Sequence, residues 1–566
     1  MKAWLLNPLL VLGMLLSISI NVSAQSEDAI IKATISSGLP AGLRKSDLDA
    51  FYSQLSYRAV FMRGQQTSNK LGELQASIQR IERHGLNPRD YQKPEIMLAP
   101  GSFSANWVMS ELTAAQTLIN LARNVSTGRV NPSSISSDIK YEQRAFSLAQ
   151  IYSLAAIGSG SSVDAVIDGV APKTTEYWNL AGIRAHLTNV RNSGGWADII
   201  PPAKVLKVGV RDAKVVELKR RLMDYGYPIS DLSDLYDQQV FRAVVDMQKS
   251  FQMNVADGVL GPNGPTWKML RTSLQSRLDD VDMNMEKVRW LPISLEDRHI
   301  FVNLAFQNFR LMDKNLSLQR GMDPALPYME FRTINGRKER KTPSMKDRIT
   351  NLVFNPTWTV PMKIFIEDKL PIIKAFTNSS ELLDWFDSNG YTVLSGDMTQ
   401  TLDPLSIDWN SINSANVNIY IRQTPRYNNA LGVVKFMMTN PWAIYLHDTN
   451  TREVFDRDHD RMQSSGCIRV ERPMELAEYL SAGVRSQFLS GDPGSALNEI
   501  LNFVAKPGEI REKETQVMLP KERFMPVYTL YQTVALGRDG IMRFARDNYG
   551  QNAGVKAALR NQGFLR

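Results

Sequence analysis

The chain has 566 residues, of which 43% are hydrophobic and 22% are charged, and its formal net charge is +8. This composition excludes a disordered or membrane-embedded protein, and the length predicts three or four domains of about 150 residues each. The basic residues form no clustered patch, so no nucleic-acid partner is expected.

The first 24 residues have the pattern of a secretory signal peptide. Lys2 gives the positive start, residues 9–20 are apolar, and Val22-Ser23-Ala24 is a small-residue cleavage site. We therefore predict export, with a mature chain that begins at Gln25. An uncleaved membrane anchor is the alternative and would be the only contact with a membrane. The apolar run is short for a span of about 20 residues, which favours cleavage.

Residues 27–200 show the spacing of a helical scaffold domain. Apolar residues recur at helical intervals before a glycine stop at Gly85, and they do so again between Leu112 and Ala122. No catalytic set stands out in this part of the chain. We expect a helical domain that ends at a linker containing Pro201-Pro202.

Residues 204–275 predict a second, smaller helical domain. Apolar residues have helical spacing from Val215 to Leu222 and from Val240 to Phe251, and the turn Asp257-Gly258-Val259-Leu260-Gly261 follows. This pattern resembles the three-helix peptidoglycan-binding module of many wall enzymes, over the length of the segment. A generic small helical domain is the alternative.

From about residue 296 the apolar period changes to two. Residues 300–306 and 417–421 alternate in this way, which predicts half-buried strands and a mainly β domain over 296–485. A polar stretch at about 367–415, with a capped helix over 380–390, predicts a partly helical insertion. This insertion is either a lid over a site or an excursion with its own small core.

Residues 499–550 are expected to form a C-terminal extension that packs on the β domain, because Met525-Pro526-Val527-Tyr528 is typical of a strand. The predicted fold class is therefore a multidomain α+β protein. It consists of a helical scaffold domain, a small three-helix module and a mainly β domain with a partly helical insertion.

The single cysteine, Cys467, excludes an intramolecular disulfide. A thiol becomes a nucleophile when an adjacent imidazolium stabilises the thiolate and then serves as acid and base. Of the five histidines, His447 ends the apolar run 443–446, a predicted strand, and lies 20 positions before Cys467. We predict that these two residues are nucleophile and proton shuttle. A buried, inert cysteine is the alternative.

The residues around Cys467 add to this prediction. Gly466 has no side chain, so substrate can approach and successive backbone N–H groups can point at a developing oxyanion. Arg469 would project to the same side as Cys467 in an extended chain. It would there bind a substrate carboxylate or pair with a nearby acid.

The motif resembles the YkuD-type L,D-transpeptidase catalytic domain, in which a histidine, a gap of about fifteen to twenty residues and Ser/Thr-His-Gly-Cys precede an arginine. Here His447 is followed by Ser464-Ser465-Gly466-Cys467-Ile468-Arg469. Ser465 stands where most members carry a second histidine. Ser-Ser-Gly-Cys is similar to the large periplasmic subfamily typified by YcbB.

The likeness extends through 341–343, 353–358, 429–432 and 445–449, and with the flanking segments it covers nearly all of the mature chain. One further departure is Pro425-Arg426-Tyr427, where the resemblance leads us to expect Pro-Gly-Pro. A loop near the site therefore differs in shape, which puts the substrate preference in doubt.

The resemblance implies a periplasmic enzyme of a Gram-negative bacterium that joins peptidoglycan stem peptides and needs neither cofactor nor metal. Cys467 would attack a tetrapeptide stem at its third residue, release D-alanine and pass the acyl group to a neighbouring stem, which makes a 3-3 cross-link. Tyr445, Ser464, Ser465 and Arg469 would bind substrate, and Gly466 would belong to the catalytic set. Other enzymes of wall synthesis are further expected partners.

Two other functions stay open. One is an L,D-carboxypeptidase or amidase that uses the same thioester, and the other is a non-catalytic wall-binding scaffold. The group that orients His447 is also open, since Asp448 offers both a carboxylate and a backbone carbonyl.

Two competing motifs are weak. Ser137-Asp138-Ile139-Lys140 fits the Ser-x-x-Lys of penicillin-binding proteins, but no Lys-Thr-Gly follows. Residues 456–460 imitate the start of a calcium loop, but Arg461 stands where glycine is needed and Cys467 where glutamate is needed.

Overall fold

The computed structural model describes residues 26–253, 255–456 and 460–564. The predicted signal peptide lies outside the described residues. The helices, in chain order, are α1 (Glu27–Ser37), α2 (Lys45–Ser53), α3 (Asn69–Arg80), α4 (Trp107–Thr127), α5 (Leu148–Leu154), α6 (Val163–Val170), α7 (Thr175–Asn192), α8 (Ala213–Asp224), α9 (Gln238–Ser250), α10 (Pro265–Leu270), α11 (Leu274–Val288), α12 (Lys314–Gln319), α13 (Met362–Ile364), α14 (Leu370–Ala375), α15 (Ser379–Asn389), α16 (Pro473–Ser481), α17 (Ala496–Phe503) and α18 (Gln551–Asn561).

The strands are β1 (Met62–Arg63), β2 (Gln66–Thr67), β3 (Arg298–Asn303), β4 (Asn308–Asp313), β5 (Met329–Gly336), β6 (Met345–Phe354), β7 (Trp358–Thr359), β8 (Tyr391–Ser395), β9 (Thr401–Leu402), β10 (Ile419–Gln423), β11 (Val434–Met438), β12 (Leu446–His447), β13 (Met462–Ser464), β14 (Ile468–Val470), β15 (Thr515–Met518), β16 (Met525–Leu530), β17 (Val534–Leu536) and β18 (Met542–Phe544). Helices thus dominate the first half of the described chain and strands the second. This order confirms the predicted α+β class.

The described chain divides into two units. The first contains residues 26–77, 92–121 and 147–169, and the second contains the other described residues from 78 to 564. The predicted scaffold over 27–200 is therefore split. Its residues 78–91, 122–146 and 170–200 belong to the unit that carries the β domain.

In the first unit, a buried carboxylate holds the chain after α2. Glu111 accepts hydrogen bonds from the backbone N–H groups of Val60, Phe61 and Met62 at 2.8, 2.7 and 2.6 Å, and from the Tyr52 hydroxyl at 2.6 Å. Burial raises the pKa of Glu111, and the hydrogen bonds act in the opposite direction. Four donors thus offset the desolvation of one buried acid.

The predicted three-helix module consists of α8, α9 and α10. Its apolar residues at helical spacing, Val215, Leu218, Leu222, Val240 and Val244, are fully buried. The Asp-Gly turn has a steric reason, because Gly258 has a φ of +67° and a Cβ there would lie 2.4 Å from the Phe241 ring. The small helical domain predicted from the spacing is confirmed.

The β domain is built on one large sheet in the order β11-β12-β14-β5-β4-β3-β16-β6-β15, with β13 beside β5. Strand β11 also pairs with β6, so the sheet closes on itself. Its interior holds fully buried apolar side chains, among them Ile300, Val302, Phe309, Leu352, Phe354, Phe436, Leu446, Ile468 and Val527. The alternating residues of 300–306 thus supply one strand and the turn after it.

The C-terminal segment is part of this sheet. Strand β16 is parallel to β3 and antiparallel to β6, and lies between them. The sequence predicts an extension packed on the β domain. The structure instead places its strands β15 and β16 inside the hydrogen-bonded sheet, whereas β17 and β18 pair with each other in a sheet of their own.

The insertion is a separate small sheet, in the order β7-β10-β8-β9, with α13, α14 and α15 beside it. It extends from Trp358 to Gln423, further than the predicted 367–415. Its own core contains Phe365, Phe386, Trp409 and Ile421 with other apolar residues. Helix α15 ends at Gly390, where φ is +66°.

Within the described ranges, no helix is both long enough and apolar enough to cross a membrane.

Candidate active site

The register of three neighbouring strands brings the predicted site residues together. Strand β12 is parallel to β14, with His447 opposite Arg469, and antiparallel to β11, with His447 opposite Lys435. Cys467 lies two residues before Arg469, so an extended chain directs both side chains to the same side. All four side chains line one cavity of about 1370 Å³.

The loop before β12 holds a backbone carbonyl against the thiol. Ala443 has a φ of +55°, and its carbonyl accepts a hydrogen bond from the Cys467 thiol at 3.5 Å. Asn440 fixes the loop, because its side-chain oxygen accepts the N–H groups of Trp442 and Ile444, each at 3.1 Å. A non-glycine residue in the left-handed region beside a reactive group is typical of a functional site. The sequence predicted a strand over 443–446, but only its last residue is in β12.

The turn that carries Cys467, the predicted nucleophile, is closed by Ser464. Its hydroxyl donates to the Cys467 carbonyl at 2.5 Å and accepts the Gly466 N–H at 3.2 Å. Gly466 has a φ of +121°, and a Cβ there would lie 3.2 Å from the Ile444 side chain. Glycine is therefore required by backbone conformation. Its N–H is occupied by Ser464, so it would reach an oxyanion only if that hydrogen bond were exchanged.

His447 is held in one tautomer by the backbone. Its Nδ1 makes a short hydrogen bond to the Asp448 carbonyl. A carbonyl oxygen only accepts, so Nδ1 carries the hydrogen and Nε2 keeps its lone pair. The Asp448 carboxylate is engaged elsewhere, with the Val433 N–H at 2.9 Å and with Arg452. Of the two orienting groups that the sequence left open, the carbonyl is the one in contact.

Burial favours the neutral forms of both His447 and Cys467. Burial, followed by the charge of Arg469, lowers the pKa of His447 to about 3, with Lys435 acting in the same direction. Burial raises the pKa of the Cys467 thiol, against the effects of the Tyr445 N–H, Lys435 and Arg469. The sequence pattern predicted an imidazolium that stabilises an adjacent thiolate. The structure favours a thiol and a neutral imidazole on the same cavity, because burial penalises the charged form of each group.

Lys435 is a site residue that the sequence analysis missed. It lies on β11, and its ammonium group is 4.0 Å from the centroid of the Tyr445 ring. Burial lowers the pKa of Lys435, and the nearby Cys467 and Glu514 oppose the shift. The sequence contained one indication of this residue, because a charged side chain between Val434 and Phe436 is unusual in an apolar strand. The ring of Tyr445, a predicted substrate-binding residue, is thus covered by a cation in the cavity.

Arg469 contacts hydroxyl groups. Its Nη1 donates to Thr451 at 3.0 Å and to Thr449 at 3.4 Å. Among the described residues, no carboxylate lies within 4.0 Å of its guanidinium group. Of the two roles predicted for Arg469, an ion pair with a nearby acid is therefore not seen among the described residues.

Ser465 is tied to the insertion through one arginine. The Arg340 guanidinium donates to the Ser465 hydroxyl at 2.9 Å, lies 2.6 Å from the Asp368 carboxylate and also pairs with Glu367. Both acids lie on a π-helical turn, Phe365–Lys369, that joins α13 to α14. Arg340 is buried apart from 6% of its side chain. No pattern in the sequence indicated Arg340 as a residue of the site.

The insertion forms one side of the cavity. The side chains it presents there include Trp358, Thr359, Lys363, Ile364, Asp368, Lys369, Ser388, Asn389 and Tyr391. The insertion was predicted to be either a lid over a site or an excursion with its own small core. It has a small core of its own, and it also lines the cavity. In the described ranges, no group of three or more His, Cys, Asp or Glu side chains is placed to hold a metal ion.

Comparison with protein families agrees with this architecture. Residues 297–490 match the model of the YkuD L,D-transpeptidase catalytic domain, residues 211–270 match that of the "Putative peptidoglycan binding domain", and residues 46–182 match that of a scaffold domain. The chain thus contains a YkuD-type L,D-transpeptidase catalytic domain together with a peptidoglycan-binding domain.

Individual relatives cover less of the chain. A "Putative L,D-transpeptidase" of Haemophilus influenzae is 36% identical over 212 residues, which are 37% of this chain and 38% of that relative. The chain thus spans little more than a third of the curated relative it matches.

Two solved structures are also similar to parts of the chain. The L,D-transpeptidase of Xylanimonas cellulosilytica is 13% identical with a TM-score of 0.17, and covers 58% of this chain and 98% of its own. That of Stackebrandtia nassauensis is 10% identical with a TM-score of 0.20, and covers 48% of this chain and 85% of its own.

Proposed function

We propose that this chain forms 3-3 cross-links between peptidoglycan stem peptides through an acyl-enzyme on Cys467. The observation that carries the proposal is the placement of Cys467 and His447 on one cavity, with Lys435 and Arg469 on the two strands that flank His447. The catalytic and peptidoglycan-binding domains support peptidoglycan as the substrate.

In the first step, Sγ of Cys467 attacks the carbonyl carbon of the third stem residue. Nε2 of His447 takes the thiol proton during the attack, since Nδ1 carries the ring hydrogen and the ring is neutral. The imidazolium then gives this proton to the amine of the departing D-alanine. A thioester remains on Cys467.

The two flanking cations suit this chemistry. Lys435 and Arg469 favour the thiolate as it forms and disfavour a resting imidazolium. They also suit a donor whose leaving residue ends in a free carboxylate, because charge-assisted hydrogen bonds to a carboxylate are strong in a partly buried site. We assign donor binding to Arg469, with Tyr445, Ser464 and Ser465 shaping the same part of the cavity.

In the second step, the amine of a neighbouring stem attacks the thioester carbon. His447 takes the amine proton, the carbon–sulfur bond breaks, and Cys467 is restored as a thiol. Water in place of the amine would give a trimmed tripeptide.

Location follows from the substrate. Peptidoglycan lies outside the cytoplasmic membrane, so domains of this kind favour an extracellular or periplasmic site of action. We infer the periplasm, in agreement with the signal-like first 24 residues. Contact with other enzymes of wall synthesis stays a prediction.

The test is mass spectrometry of muropeptides after incubation of tetrapeptide-rich peptidoglycan with the protein and with Cys467→Ala. We expect new dimers joined through third-position residues, and none with the variant. Tripeptides without dimers would identify an L,D-carboxypeptidase. No change in either sample would contradict the proposed activity.

A further inference from the structure

The cavity has more positive charge than its own acids neutralise. Eight basic residues line it, against three acidic ones. Four of the basic residues have a carboxylate within 4.0 Å: Arg337 at 3.2 Å, Arg340 at 2.6 Å, Lys341 at 3.6 Å and Lys363 at 3.9 Å. Within the described ranges, the other four have none: Lys369, Arg426, Lys435 and Arg469.

These four cations fall into two pairs on different parts of the fold. Lys435 and Arg469, the floor pair, lie on the strands beside His447. Lys369 and Arg426 are the insertion-side pair. Lys369 lies against β8, and Arg426 lies against Gly390, the residue before β8. Unpaired cations in a half-buried site are costly unless an anion joins them. Two pairs therefore indicate two anion positions.

Lys369 is directed to the cavity by aromatic residues. Its ammonium group lies 5.9 Å from the centroid of the Trp358 ring and 5.5 Å from that of Tyr391. All three side chains line the cavity. Aromatic faces stabilise a cation and leave its N–H groups free to bind an anion.

Arg426 is anchored beside them. Its Nη1 donates to the Ser388 carbonyl at 3.0 Å, and its guanidinium packs flat against Gly390, where a Cβ would lie 2.1 Å from Cζ. Its buried Nε has no hydrogen-bond partner among the described atoms. Arg426 also stands where the family resemblance leads us to expect glycine, so this guanidinium is an added group near the site.

We propose that Lys369 and Arg426 form a second carboxylate-binding subsite, which holds a free carboxylate of the amine acceptor. This inference rests on the proposed function, in which donor and acceptor must occupy the cavity together. The cavity, at about 1370 Å³, exceeds the roughly 300–1,000 Å³ usual for one small ligand. The floor pair takes the donor, and the insertion-side pair takes the acceptor.

The subsite acts in the transfer step. The acceptor nitrogen bonds to the acyl carbon, the carbon–sulfur bond breaks, and the amine proton passes through His447 to Sγ. A carboxylate held by two cations keeps the amine in reach of the thioester. Transfer is then favoured over hydrolysis, because the amine reacts as a bound group rather than from solution.

The test measures the ratio of transfer to hydrolysis, which does not depend on how fast the acyl-enzyme forms. The full chain is acylated by a tetrapeptide donor and offered a tripeptide acceptor that ends in a diamino acid, whose side-chain amine reacts and whose terminal carboxylate is either free or amidated. The products are quantified by mass spectrometry. Lys369→Met and Arg426→Gly should each lower the ratio for the free-carboxylate acceptor about tenfold, as expected for a lost charge-assisted contact. The ratio for the amidated acceptor should change less than twofold, roughly, since it lacks that carboxylate.

Lys363→Met is the matched control, because Lys363 lines the same side but is paired with Glu367 at 3.9 Å. We expect it to leave both ratios as in the unmodified protein, and equal melting temperatures would show that the variants fold. Equal losses with the free-carboxylate and the amidated acceptor, or no loss with either, would overturn the subsite. If intact mass shows no acyl group on Cys467, the proposed function fails, and the subsite falls with it.

Discussion

His447, the proposed base, shows how strongly the residues around a cavity set the protonation of a buried imidazole. An unperturbed imidazole has a pKa of about 6.5, but here burial and the charge of Arg469 lower it to about 3. The Asp448 carbonyl fixes the tautomer of His447. Unlike a carboxylate, it brings no full negative charge to the ring. The base is therefore ready at neutral pH without any prior proton transfer.

This state predicts an unusual pH profile for acylation. A base with a pKa of about 3 stays unprotonated through the mildly acidic range, so the rate should not fall near pH 6.5. We expect kcat/KM for D-alanine release to be flat from about pH 5 to about pH 8. Steady-state measurements across that range would check this, and a limb with a pKa near 6.5 would contradict it.

Arg469→Gln sharpens the same test. Removing the cation should raise the pKa of both His447 and Cys467, and the acidic limb should move toward neutral pH. Arg472→Gln is the control, since Arg472 is exposed and pairs with Glu475 at 3.1 Å. Its profile should match that of the unmodified protein.

At the scale of elements, Arg340 links two parts that the sequence separates widely. The acidic π-helical turn of the insertion and the turn that carries Cys467 share this one guanidinium group. Ser465, the residue after Ser464 in the nucleophile turn, is its contact. The insertion thus holds the nucleophile turn in place as well as lining the cavity.

We therefore predict that Asp368→Asn and Ser465→Ala are energetically coupled. Each substitution should slow acylation of Cys467 about threefold to tenfold. The double variant should be slowed less than the product of the two single effects, with a coupling free energy of about 1 kcal/mol. Acylation rates followed by intact mass would show this. Asp387→Asn, an exposed acid on α15 of the same insertion, serves as the control. Strict additivity would mean that Arg340 acts on each side independently.

The sequence predicted individual residues better than it predicted partners. Gly466 and Cys467 stand in one short pattern and His447 precedes Cys467 by 20 positions, so one sequence was enough to propose them. Lys435 and Arg340 come to the site through strand register and through a salt bridge to the insertion. Neither contact leaves a periodic signal in the chain. The C-terminal edge of the insertion was missed for a related reason: the apolar residues of 417–421 alternate as those of 300–306 do, although β10 pairs in the small sheet of the insertion.

At the scale of the whole molecule, the largest difference from expectation is the C-terminal segment. Pairing with β3 and β6 makes β16 an interior strand of the catalytic sheet, although more than 200 residues separate it from β3 in the sequence. An interior strand cannot be removed without leaving unpaired backbone groups in two neighbours. The catalytic fold therefore requires residues beyond 490, where the matched catalytic domain ends.

Two methionines that both pair with β6 test this placement. Met525 begins β16 and is fully buried, whereas Met518 ends β15 and is 60% exposed. Met525→Ala should lower the free energy of unfolding by about 2–5 kcal/mol, because it removes a buried side chain and leaves a cavity. Met518→Ala should change it by less than about 0.5 kcal/mol. Urea unfolding followed by tryptophan fluorescence would compare them, and equal, small costs would mean that the segment only rests on the surface of the β domain.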